Sequence, residues 1–160
     1  MRGLEMPEPN AILRMARAEA QRNAIDLLAY SSAVYPDEIH DLVSAKILEI
    51  GVAFAVNARR CFEVASEPAE IVARRWKYQM NGSQKIEKDL WRALNGIIHA
   101  RNLSIHFAES PQAVFSDSRN SVALHFVYET DRYPETYVDL FGLAWTFLSF
   151  GPFAWEESCD

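Results

Sequence analysis

The chain has 160 residues, a net charge of -6, two cysteines and 49% hydrophobic residues. That length suits one domain able to bury about 70% of its unfolded surface. Two cysteines far apart in sequence, Cys61 and the second-last residue Cys159, do not suggest a disulfide framework or a metal knuckle. The opening MRGLEMPEPNAI lacks a signal-peptide core, and no apolar run approaches the ~18 residues of a membrane span, so a cytoplasmic protein with no membrane partner is expected.

Charge is unevenly distributed. Residues 1–56 carry 5 basic and 8 acidic side chains, residues 57–101 carry 9 and 5, and the remainder carries 2 and 9. The single basic segment is where a phosphate-bearing ligand would be drawn, although a solvated basic face has the same composition.

In chain order, Leu13, Ala16, Ala20, Ala24 and Leu27 or Leu28 recur at helical spacing and predict a helix over about 10–30. Pro36 interrupts it and Asp37 can cap a second, broader helix over about 37–64, with Ile39, Leu42, Val43, Ile47, Ile50 and Phe54 on its apolar face. Arg59 and Arg60 near its end complement the helix dipole. AEIVARRWKYQM predicts a short helix before the break NGS at 81–83. Its run Arg74, Arg75, Trp76, Lys77, Tyr78 interleaves cations with aromatics as single-stranded nucleic-acid surfaces do, and equally suits a helix that buries Trp76.

A third long helix is expected over about 84–108, with Leu90, Leu94, Ile97, Ile98 and Ile105 apolar. On it Arg92, Asn95, His99, Asn102 and His106, spaced by 3, 4, 3 and 4, would form one narrow polar seam facing a partner surface. SVALHFVYE alternates and predicts a β-hairpin over about 113–129, and ETYVDLFGLAWTFLSF returns to helical spacing. The expected architecture is mainly α: one domain over 1–160, an up-and-down bundle of four to five helices with a small hairpin inserted before the last.

Nucleotide-loop and hydrolase signatures are absent, and His40, His99, His106 and His125 lack the carboxylate spacing of a metal site. No metal or cofactor is expected. What remains is RNLSIH, with Arg101, Asn102 and His106. Here the chain resembles the HEPN superfamily, whose signature is an arginine, often followed by asparagine, and a histidine a few residues on, carried on a late helix of a bundle.

The resemblance implies a metal-independent endoribonuclease of toxin or phage-defence type, with a site shared between two subunits of a homodimer and an antitoxin protein as partner. In that role His106 moves the proton, Arg101 holds the phosphate and Asn102 orients, while His99, Arg92, Arg60, Arg75 and Lys77 would contact RNA or a nucleotide. On an ideal helix Arg101 and His106 stand about 140° apart, so they reach one point only through long side chains, a local kink or a second chain, which a dimer would supply. Arg92 with His99 is the competing register and lacks the asparagine. The tyrosine that receives a nucleotide in some antitoxin-paired members falls here on Ala108. The other class left open is a non-catalytic dimeric nucleotide- or protein-binding module.

Overall fold

The computed structural model describes residues 9–63, 69–72, 84–110 and 114–149. Helix α1 spans Pro9–Ser32, strand β1 Tyr35–Pro36, and a single 3-10 turn at Asp37–Ile39 leads into α2, His40–Phe62. Strand β2 is Lys85–Ile86, α3 is Leu90–Ile98, β3 is Asn102–Glu109, β4 is Asn120–Glu129, β5 is Thr136–Asp139 and α4 is Leu140–Ser149.

The first helix follows the expected periodicity, and the second does so except at Leu42, which is exposed rather than on the apolar face. Ala16, Ala20, Ala24 and Leu27 are buried along one stripe of α1, as are Val43, Ile47, Ile50 and Phe54 along α2. The alanines on α1 let it approach its neighbours closely, and it packs against both α2 and α4. Cys61, on the buried face of α2, has its thiol pushed up to about 11 by burial, which leaves it inert near neutral pH.

The second half departs from the expected bundle. Among the described residues there are four α-helices and a five-stranded mixed sheet. The central strand is β4, lined on one side by β3 and on the other by β1 and β5. The short β2 lies parallel to the far side of β5. The third helix, expected over about 84–108, is only Leu90–Ile98. It starts where Asp89 caps it, Oδ1 accepting the Arg92 amide at 2.8 Å.

The stretch after His99 is a strand because Leu103, Ile105 and Phe107 alternate with Asn102, Ser104 and His106. The odd-numbered side chains of that set pack against the core. The hairpin expected over about 113–129 is therefore a wider one, with β3 as the first strand and β4 as the second. The last helix begins later than expected, at Leu140, because Asp139 caps it by accepting the Gly142 amide and Thr136–Asp139 pairs with β4.

Helices α2 and α3 come down on the sheet at two glycines. A methyl group at Gly51 would overlap the Phe126 ring, and one at Gly96 the Tyr128 ring. Phe126 and Tyr128 are two residues apart on β4, so both aromatics rise from one face of the sheet. Val138 opposite Phe126, and Ile105 and Leu103 on β3, share that face and join the same core. No helix among the described residues is long and apolar enough to cross a membrane.

This packing sets the cost of small changes. Gly51→Ala and Gly96→Ala should each gain about 1 kcal/mol of helix propensity and lose about 1–3 kcal/mol to overpacking, for a net loss of stability. Thermal unfolding should show both variants melting below the parent. Adding Phe126→Leu should recover part of the Gly51→Ala loss, since the two changes share one contact. An unchanged midpoint for Gly51→Ala would refute the tight approach.

Candidate functional site

Three features deserve a chemical reading, and each grows from the strand register. The first is a row of side chains across β3, β4 and β5. His106 lies opposite His125, which lies opposite Asp139, so the three share the face turned away from α2 and α3. His106 Nδ1 is 3.1 Å from His125 Nδ1, so one imidazole donates and the other accepts. The Tyr137 ring stands edge-on to both, with centroids 5.7 and 5.6 Å away. Desolvation holds the His106 pKa below its ordinary value, favouring the neutral ring. The Tyr137 hydroxyl donates to Glu135 Oε1 at 3.2 Å, and burial together with that carboxylate pushes the phenol up.

The second feature joins residues far apart in sequence at the start of α2. His40 Nε2 bonds the hydroxyl of Ser121 and lies 3.3 Å from Asp37 Oδ1, while its ring stacks on Phe107 at 4.1 Å. The residue types are those of a nucleophile triad, but the wiring differs. A relay needs the acid on the ring nitrogen opposite the hydroxyl, whereas here both partners use the same nitrogen. Ser121 is also buried. The cluster fastens the N-terminus of α2 to β4.

The third feature is a cleft of about 470 Å³ lined by Asn95, Gly96 and His99 from the end of α3 and by Thr130, Asp131, Arg132 and Tyr133 from the β4–β5 connection. That connection is held by its own turn. Thr130 Oγ1 accepts the amides of Arg132 and Tyr133 at 3.2 and 3.0 Å, and the Thr130 amide donates to the Tyr133 carbonyl at 3.1 Å. Lys85 Nζ sits 4.8 Å from the Tyr133 ring centroid. At the rim, the Arg101 guanidinium pairs with Asp131 and the Arg101 amide donates to the Glu129 carbonyl at 2.7 Å.

The sequence-predicted residues are thus divided among these features. Arg101 stands at the cleft and His106 in the histidine row, five strand residues or about 16 Å away, so within one chain they do not meet. Asn102 is exposed and shares a sheet face with His106. The predicted helical seam survives only on α3, as Arg92, Asn95 and the capping His99, because Asn102 and His106 belong to β3. Arg92 is exposed one helical step from Asn95, and Arg60 is exposed in the last turn of α2. Arg75 and Lys77 lie outside the described residues.

Sequence reasoning missed His125, Tyr137, Arg132 and Tyr133 as site residues. His125 was visible as a strand position, but only the β3–β4 register places it against His106. Among the described residues no group of three or more His, Cys, Asp or Glu is arranged to hold a metal ion. Comparison of the chain with family models, curated proteins and solved structures finds no match.

The half-buried His106 carries a pH signature. Its folded pKa is below the ordinary 6.5, so as pH falls through that value the unfolded chain takes up a proton that the native state resists. Stability from this residue is therefore full above about 6.5 and is lost on acidification below it. Chemical denaturation should show a steeper loss below 6.5 for the parent than for His106→Gln. Parallel profiles would show that His106 protonates freely in the native state.

Proposed function

We propose that the protein binds a nucleotide in the cleft between the end of α3 and the 130–133 turn, without acting on it. The observation that carries this reading is the composition of the cleft. The exposed Tyr133, with Asn95, His99 and Arg132, lines one concave space of about 470 Å³, together with Asp131, whose carboxylate is met by Arg101. That is the size range of small-ligand sites, and the lining is mostly polar, with the rings of His99 and Tyr133 among it.

The arrangement favours one orientation. Backbone carbonyls gather at the C-terminal end of α3 and disfavour an anion there, so the base belongs against Asn95, His99 and Tyr133. The phosphate belongs on the side of Arg132 and Lys85, with Arg101 anchored at the rim by Asp131.

AMP is a suitable probe. Titration calorimetry should detect saturable binding at one site per chain. Arg132→Ala should weaken it by roughly ten- to a hundred-fold, the worth of a hydrogen bond to a charged group at about 1.5–3 kcal/mol. Tyr133→Ala should weaken it by a smaller factor through lost stacking. Absence of binding, or binding indifferent to both changes, would overturn the assignment.

A separate observation favours the endoribonuclease reading as a second possibility. His106 and His125 form a hydrogen-bonded imidazole pair in which one ring is held neutral, and such a pair can accept one proton and release another. On that reading the protein cuts single-stranded RNA in the presence of a chelator, and His106→Ala loses about 10²- to 10⁴-fold in rate. His99→Ala, on the cleft, should leave cleavage intact. Cleavage unaffected by His106→Ala would exclude the pair as its catalyst.

A further inference from the structure

Strand β3 forms one border of the sheet. It pairs with β4 and, among the described residues, with no other strand. The outward amides and carbonyls of an eight-residue edge are a template for another strand, and natural edges are commonly guarded by lysine, proline or a bulge. The segment NLSIHFAE contains neither lysine nor proline. The irregularity beside it belongs to β4: His106 faces His125 and Phe107 faces Ala123, which leaves Leu124 as the extra residue. The alternation of β3 itself is unbroken.

We propose that this edge pairs antiparallel with the β3 edge of a second copy of the chain, in the register centred on Ile105. The register follows from symmetry and from the side chains. In a two-fold dimer whose sheet continues across the axis, directly opposed residues share a face, so even positions oppose even and odd oppose odd. Overlap of all eight residues would oppose even to odd and is forbidden. The nearest permitted registers centre on Ile105 or His106.

The two differ sharply in what they match. Centred on His106, the strands set the two His106 rings against each other and Leu103 against the Glu109 carboxylate. Centred on Ile105, they set Ile105 against Ile105 and Leu103 against Phe107 on the core-facing side, and Ser104 against His106 on the other. The ends then match in charge, with Arg101 of each copy opposite Glu109 of the other. Both side chains are exposed, and Arg101 is already held in place by Asp131. Opposite charges directly across an antiparallel pair are favourable and like charges unfavourable, and a two-fold axis doubles either effect.

This interface stands independently of the ligand reading. Light scattering of the full chain at micromolar concentration should report twice the chain mass. Amide exchange in 102–109 should slow as concentration rises and the outer edge becomes paired. Glu109→Arg alone and Arg101→Glu alone should each weaken dimerisation on the order of ten-fold at low salt, and the double exchange should restore it. Both positions are on the surface, so loss of fold does not mimic the result; circular dichroism checks this directly.

A monomer throughout the micromolar range overturns the proposal. So does a dimer whose β3 amides exchange at the dilute rate, because another surface then makes the contact. Single charge reversals that leave the dimer unchanged, or a double exchange that fails to restore it, overturn the Ile105 register.

Discussion

The close approach of two helices to one strand governs the rest of the molecule. Gly51 on α2 and Gly96 on α3 leave room for the rings of Phe126 and Tyr128, and any larger residue would hold the helices off the sheet. Because the two rings stand two residues apart on β4, they fix which face of the sheet is covered by α2 and α3. Once that face is set, His106, His125, Asp139 and Tyr137 must lie on the other. The bulge at Leu124 then reverses the alternation toward the start of β4, placing Ala123 in the main core beside Phe126. A strand with one extra residue can thus serve the core at both ends.

The same constraint separates the two chemistries that a linear reading of HARNLSIHF would merge. On a continuous helix, Arg101 and His106 would be less than two turns apart. On β3 they sit at opposite ends of an extended run, one at the cleft and one in the histidine row. Arg101 has its charge met by Asp131, while desolvation lowers the His106 pKa and favours its neutral ring. An anion therefore meets cationic character at the cleft, through Arg132 and Lys85, and little of it at the histidine pair. That contrast is the physical reason for placing the nucleotide beside α3.

Much of the first half of the fold was legible in the sequence because α1 and α2 repeat an apolar stripe with a single period. The second half held two periods in competition. Leu94, Ile98 and Ile105 fit a helix, while Leu103, Ile105 and Phe107 fit a strand. The strand prevails because β4 supplies a matching partner, a long-range fact that spacing alone does not contain. SVALHFVYE was readable as a strand, yet its neighbours on either side were not. Asp89 and Asp139 cap α3 and α4 where they begin, but the apolar spacing that extends upstream of each points to an earlier start. Of the candidate site, His99 and Asn95 were legible as a helical pair. Arg132 and Tyr133 sit in a polar turn with no periodicity, and only the fold carries them to the end of α3.

The position of β3 links edge, cleft and histidine pair. Its first residue follows directly on Arg101, whose side chain ties the strand to the 130–133 turn through Asp131. Its middle carries Ile105 toward the core and His106 away from it. In the Ile105-centred register, the second copy brings Glu109 to each Arg101, next to the wall of the cleft, and a carboxylate there competes with Asp131 for the same guanidinium. Any ligand whose phosphate approaches Arg101 from the cleft would compete with both. Should a phosphate in the cleft and the second copy's Glu109 both reach Arg101, the two events would be coupled through that arginine, and thermodynamic linkage would require each to alter the affinity of the other by the same factor. The sign would follow from charge: a phosphate that drew Arg101 away from Glu109 would weaken the pairing, and the dimer would bind such a ligand less tightly than the separated chain.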